Sequence, residues 1–114
     1  LSREPYPGEV VEVLSDPLAP AVDALIERVI QALQAEHPDG LSADELTLRF
    51  YDRFMAEAGH MPARRGGQFA AHRYYCQGRF LDRFGDLLLG RPVVTRDDRN
   101  AARQALWRLK KRHL

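Results

Sequence analysis

Between Val22 and Leu33 the apolar positions are Val22, Leu25, Ile26, Val29, Ile30 and Leu33, and Asp23, Glu27, Gln31 and Gln34 lie opposite them. This i, i+3, i+4, i+7 spacing predicts an amphipathic helix over about 20–36. Pro20 suits its first turn, where no amide is needed. His37-Pro38-Asp39-Gly40 ends it, because proline cannot continue the ladder and Gly40 tolerates positive φ.

A second helix follows Ser42-Ala43-Asp44-Glu45, which reads as a capping box: the Ser42 hydroxyl accepts from an open amide and Glu45 reaches back to the cap. Leu41 and Leu46 flank the cap as a hydrophobic staple. Leu46, Phe50, Phe54 and Ala58 line one face up to Gly59. Residues 60–67 read as a loop, with one proline, two arginines and paired glycines. A helical pattern resumes near Gln68 and runs to about Cys76, where Gly78 either breaks or weakens it. Phe80, Leu81, Phe84, Leu87 and Leu88 then repeat the stripe up to Gly90. Arg91-Pro92-Val93-Val94 reads as a short extended piece. Thr95 caps a last helix, with Asp97 and Asp98 at its positive end and Ala102, Ala105, Leu106 and Leu109 inside.

The N-terminus has a different texture. Four of the seven prolines (Pro5, Pro7, Pro17, Pro20) surround Glu9-Val10-Val11-Glu12-Val13-Leu14, a β-branched run expected to form a short strand or arm. The expected organisation is an extended arm over 1–18 and one helical domain over 19–114. The fold class is mostly α, with four to five helices.

Composition changes this picture little. A chain of 114 residues with 45% hydrophobic and 29% charged side chains can fold as one domain. The single cysteine, Cys76, excludes an internal disulfide and fits a reducing, intracellular setting. No apolar run reaches membrane-spanning length, so no membrane partner is expected. The N-terminus lacks the basic-then-apolar layout of a secretory signal. The chain opens on Leu1 rather than Met, as a processed form or a piece of a longer protein does.

Charge changes the picture more. Residues 1–50 carry three basic side chains (Arg3, Arg28, Arg49) and ten acidic ones; residues 51–114 carry fourteen basic and six acidic. A net charge of +1 thus joins an acidic half to a basic half, a distribution that points to a polyanionic partner. Glu9, Glu12, Asp16, Asp23 and Glu27 have three open readings. They solvate the surface, pair with a second copy, or neutralise the basic half within one chain.

Val29 to Leu46, with Gly40-Leu41-Ser42 and Glu45-Leu46 at its end, resembles the opening of a winged-helix domain of the helix-turn-helix superfamily. The run from Phe80 to Leu88, followed by Arg91-Pro92-Val93-Val94, is similar to a helix leading into a small wing, and the order of features also resembles LOTUS-type domains. The resemblance covers about a third of the chain. It implies a winged-helix-like fold and a nucleic-acid partner, DNA favoured over RNA, with RNA and protein partners in the LOTUS branch. The middle of the chain departs from the pattern. Eight residues separate Gly59 from Gln68, where a helix-turn-helix has three or four, so ordinary major-groove insertion does not follow.

The candidate interface comprises Arg64, Arg65, Gln68, His72, Arg73, Tyr74 and Arg79 in a basic loop-helix (60–83), joined by Arg99, Arg103, Lys110 and Lys111 on the last helix. Arginine forks bind phosphate and tyrosine faces stack bases. Gly66-Gly67 lets backbone amides approach an anion. Gln68, His72 and Tyr74 are placed nearer the bases. The competing reading is a solvated loop and a solubilising helix face, with Tyr74 and Tyr75 partly in the core. Trp107 is expected in the core or at a dimer seam.

His72 and Cys76 share a helix face, but zinc needs more ligands than they and His60 supply, so no metal or cofactor is expected. A Cys76–His72 nucleophile pair lacks an orienting group, and Asp44, Glu45 and Asp52 read as capping and surface residues. The chain is expected to be non-enzymatic. The alternative function is a protein-interaction or oligomerisation module, with a protein partner or a second copy docked on an amphipathic face.

Overall fold

The computed structural model describes residues 18–61 and 69–113, with backbone only for 69–72. Four helices account for most of them: α1 (Leu18–Glu36), α2 (Ala43–Ala58), α3 (Phe69–Leu89) and α4 (Arg96–Arg112). No strand occurs among the described residues. The mostly α class therefore stands; residues 1–17 of the expected arm, with its strand over Glu9–Leu14, lie outside the described residues, and Leu18, expected at the end of the arm, opens α1.

Each boundary has a local cause. Leu18, Val22, Leu25, Ile26, Val29 and Leu33 form the buried stripe of α1. Gly40 closes the turn after it at φ +89°, donating its N–H to the His37 carbonyl at 2.8 Å. At α2 the Glu45 N–H donates to Ser42 Oγ at 3.2 Å, and the Ser42 N–H donates to Glu45 Oε1 at 3.4 Å, so the capping box forms as its sequence predicts. Thr95 and Asp98 make the corresponding box at α4.

α3 runs unbroken through Gly78. A mid-helix glycine costs about 1 kcal/mol relative to alanine. Against that, Cys76, Phe80 and Leu81 are fully buried and Phe84 nearly so, and each buried apolar side chain contributes about 1.5–3 kcal/mol. Cys76, Phe80 and Phe84 stand at i, i+4, i+8, in phase across the glycine, so packing outweighs the local preference.

The expected wing strand is not formed. Residues 90–95 are the connection between α3 and α4, with Gly90 at φ +73°. The N–H groups of Val94 and Thr95 donate to Asp98 Oδ2, each at 3.0 Å. Donors that a wing would place in a strand ladder serve as the cap of α4 instead. Val93 lies against Gly85 of α3, which fixes this connection on the helix surface.

α3 is the central helix, in contact with α1, α2 and α4; α2 in turn touches α1 and α4. Asp23 pairs with Arg79 and Glu27 with Arg83, one turn further along both helices, so α1 and α3 run in the same direction. The core centres on Phe50. Its ring lies 5.4 Å from Phe54, 5.9 Å from Phe80 and 4.3 Å from Phe84, and Tyr51 meets Phe80 edge-on at 4.8 Å. The one buried polar side chain of this core among the described residues, Thr47, donates to the Ala43 carbonyl at 2.8 Å. α4 closes the structure with Ala102, Leu106 and Leu109.

Candidate nucleic-acid interface

Two groups of basic residues stand out once the helices are assembled; Arg28, Arg49 and Arg96 are exposed, belong to neither, and have no ion-pair partner among the described residues. The first group is tied to carboxylates of the same chain. Arg79 donates to Asp23 Oδ1, and Arg83 donates to Glu27 Oε2 at 3.2 Å. Arg53 bridges Glu36 at 2.7 Å and Glu57 at 3.5 Å. Arg99 forks onto Asp82, with Nη2 at 2.8 Å from both oxygens and Nε at 3.1 Å from Oδ1. Arg91 pairs with Asp98. The bond from Asp23 raises the Arg79 pKa further, and Glu36 does the same for Arg53. Of the acidic residues with open readings, the two that are described, Asp23 and Glu27, pair with arginines within one chain, as Glu36 also does, without neutralising the basic half as a whole. Glu9, Glu12 and Asp16 lie outside the described residues.

The second group occupies the C-terminal half of α4. Residues 103–112 carry Arg103, Arg108, Lys110, Lys111 and Arg112 and no carboxylate. Arg108, Lys111 and Arg112 have no ion-pair partner among the described residues. Arg108 and Arg112 line a shallow cleft with Ala43, Asp44 and Thr47 of α2 and Leu87 and Leu88 of α3. Asp44 stands 4.0 Å from His113 Nε2 at its edge. Helical spacing puts Lys111 between Arg108 and Trp107 on the outer face.

Arg103 is held rather than loose. Its Nε donates to Gln77 Oε1 at 2.7 Å and Nη1 to Asn100 Oδ1 at 2.9 Å, while its guanidinium lies 5.2 Å from the Tyr74 ring centroid. Gln77 Nε2 donates in turn to the Tyr51 hydroxyl at 3.1 Å. The Tyr51 ring meets Trp107 edge-on at 6.3 Å and 89°. Lys110 Nζ lies over both rings, 4.9 Å from Tyr51 and 5.3 Å from Trp107. These contacts form one continuous band across α2, α3 and α4, and its two outermost rings are open to solvent: Tyr74 is 66% exposed and Trp107 41%.

The expected site is thus redistributed. Arg64, Arg65 and Gln68 lie outside the described residues, as does the His72 side chain. Arg73 and Tyr74 are exposed near the start of α3. Arg79 and Arg99 face carboxylates, so their charge is balanced locally. Arg103 and Lys110 join the aromatic band, and Lys111 is exposed. The helix expected to lie on nucleic acid supplies Cys76, Phe80, Leu81 and Phe84 to the core, and among its described side chains Arg73, Tyr74, Asp82, Arg83, Asp86 and Leu87 are exposed. Trp107, expected in the core or at a dimer seam, is not in the core: it is 41% exposed. Gln77 and Trp107 complete the band and stand outside the residues expected there; no sequence signal marks a hydrogen bond spanning 26 residues. The ion pairs did have a signal: Asp23 and Glu27 are one turn apart, as are Arg79 and Arg83.

Cys76 is fully buried, and burial pushes its thiol pKa up although Arg73 opposes the shift. A thiol nucleophile needs the reverse, a lowered pKa with access to solvent. No group of three or more metal-ligating side chains occurs among the described residues, and no described helix is long and apolar enough to cross a membrane. No protein-family model, curated protein or solved structure matches the chain.

Proposed function

We propose that this chain is a non-enzymatic nucleic-acid-binding domain that contacts phosphate through the C-terminal half of α4. The observation that carries the reading is the contrast between the two groups of cations. Arg53, Arg79 and Arg83 of α2 and α3, and Arg99 in the first turn of α4, are paired with carboxylates; Arg28, Arg49 and Arg96 have no ion-pair partner among the described residues but stand singly, whereas Arg108, Lys111 and Arg112, likewise without an ion pair, cluster within five residues. Unbalanced cations on one helix end are what a polyanion neutralises, with release of its counterions. Arg103 and Lys110 extend the surface. Arg64 and Arg65 precede α3 in sequence and are assigned to the same function as additional phosphate ligands. DNA and RNA both satisfy this chemistry.

Salt titration of binding to labelled DNA and RNA tests the proposal. Changing Arg108, Lys111 and Arg112 to alanine together is expected to weaken binding for all sequences. It should also reduce the slope of log K against log salt by about 0.7–0.9 for each phosphate the variant no longer neutralises. Changing Arg79 and Arg83 to alanine is expected to leave the slope unchanged, because those charges are already paired. Absence of binding at low salt, or equal slopes for the triple variant and the parent, would overturn the proposal.

One observation favours the alternative of a protein-interaction module. Val94 is 80% exposed and Leu87 50%, both close in sequence to the α3–α4 connection. A salt-insensitive complex that disappears on changing Val94 and Leu87 to serine would support that reading over the first.

A further inference from the structure

We infer that the ligand is a single-stranded nucleic acid, bound with its bases stacked on Tyr74 and Trp107. This rests on the nucleic-acid reading above and specifies the form of the strand.

Three observations carry it. First, α3, the helix that follows Arg64 and Arg65 in sequence, is unsuited to a duplex groove. Its Cys76, Phe80, Leu81 and Phe84 are buried, and Arg79 and Arg83 are tied to α1. A recognition helix must present one polar face to base edges, whereas the exposed positions of α3 beyond Tyr74 among the described residues include the carboxylates Asp82 and Asp86, which repel phosphate.

Second, the molecule exposes two large rings beside unbalanced cations. An exposed aromatic is ordinary when it stands singly. Here both rings belong to one band, tied together through Arg103, Gln77, Tyr51 and Lys110 by contacts of 2.7–6.3 Å. The Arg103 guanidinium holds two hydrogen bonds while it lies over Tyr74, which restricts both side chains before any ligand arrives. Trp107 is braced edge-on by the buried Tyr51. Preorganised rings lose little conformational entropy on stacking.

Third, Lys111 lies one turn from Trp107, and Arg108 is adjacent to it in sequence. Phosphate-binding cations therefore flank a stacking platform, the combination that single-strand binders use. Paired bases offer their faces to one another and cannot use Tyr74 or Trp107 without unstacking.

The test is a direct comparison of single-stranded DNA, single-stranded RNA and duplex DNA of equal length with the full chain at one salt concentration. Single strands are expected to bind at least tenfold more tightly than duplex. The DNA and RNA arms show which sugar is preferred. Trp107 is the only tryptophan, so its fluorescence should be quenched by single strands and not by duplex. Tyr74→Leu and Trp107→Leu are each expected to weaken single-strand binding about tenfold and to leave duplex binding within twofold. Tyr74→Phe, which keeps a stacking face, should retain single-strand affinity. Both positions are exposed, and a circular-dichroism melt establishes that each variant is folded. Duplex binding as tight as single-strand binding, or leucine variants that leave single-strand affinity unmoved, would overturn the inference while leaving the phosphate surface intact. Absence of binding by any form would overturn both.

Discussion

At the residue scale, two glycines of α3 separate a tolerated exception from a required one. A Cβ on Gly78 would meet only the Arg99 guanidinium, at 3.5 Å, an ordinary contact. Gly78→Ala should therefore raise stability by about 0.5–1 kcal/mol through helix propensity alone. A Cβ on Gly85 would lie 2.1 Å from Val93 Cγ2 and 3.3 Å from Val93 Cβ. The branched side chain cannot swing away from both contacts, so the connection itself must shift. Gly85→Ala should lower stability by about 1–3 kcal/mol, as overpacking does, and Val93→Ala in the same chain should recover part of the loss. Chemical denaturation of the parent and these variants checks the signs. Gly78 was visible in the sequence as a weak point of a helical pattern, and Gly85 lies inside the stripe that follows it. Only the packing of Val93 distinguishes them, because that contact comes from a connection outside the helix.

At the scale of elements, α4 depends on its first turn. Thr95 Oγ1 accepts from the Asp98 N–H at 3.0 Å, and the Asp98 carboxylate accepts from Arg91, Val94 and Thr95. Thr95→Ala should cost about 1 kcal/mol. The Arg91 guanidinium, followed by the two backbone N–H groups, holds the Asp98 carboxyl well below the usual carboxylate range. Its folded-state pKa is thus lower than its unfolded value of about 3.9. The contribution of Asp98 is complete above that value and is lost as pH falls through the folded one. The expected outcome is a melting temperature that falls below about pH 4, and less steeply in Asp98→Asn than in the parent. Equal acid sensitivity of the two proteins would place the loss elsewhere. This element was legible in advance: Ser42-Ala43-Asp44-Glu45 and Thr95-Arg96-Asp97-Asp98 are local patterns, and a cap is decided within four residues. The expected wing strand fails for a related reason. Arg91-Pro92-Val93-Val94 has strand-like composition, but a strand needs a partner, and here Asp98 takes the donors first.

At the scale of the whole molecule, Phe50 is where α2 and α3 meet, with rings of both helices within 5.9 Å. Phe50→Ala should cost about 3–5 kcal/mol, a large part of the roughly 5–15 kcal/mol that holds a small domain folded; Phe50→Leu should cost less. The ion pairs that cross between α1 and α3 carry little stability by comparison. Arg79 and Asp23 are 34% and 56% exposed, and pairs of that kind contribute about 0–1 kcal/mol. Their consequence is electrostatic: they balance Asp23, Glu27, Arg79 and Arg83 locally, while residues 103–112 of α4 carry five cations and no carboxylate.

Helix existence, helix class, the Ser42 capping box and the Thr95 cap were determined by sequence alone, because periodicity and capping act over a few residues. The buried stripes of α1 and α4 follow for the same reason, since the polar positions between them have nowhere else to face. The tertiary structure alone decided which cations remain unbalanced. The sequence shows fourteen basic residues after position 50, but whether Arg79 meets Asp23 or a phosphate depends on α1 and α3 lying side by side in the same direction. It also decided that Trp107 faces outward and that Gln77 joins Tyr51 to Arg103. Such contacts join residues far apart in the chain. Long-range pairing is set by how the helices share one core, and no window of local sequence contains that information.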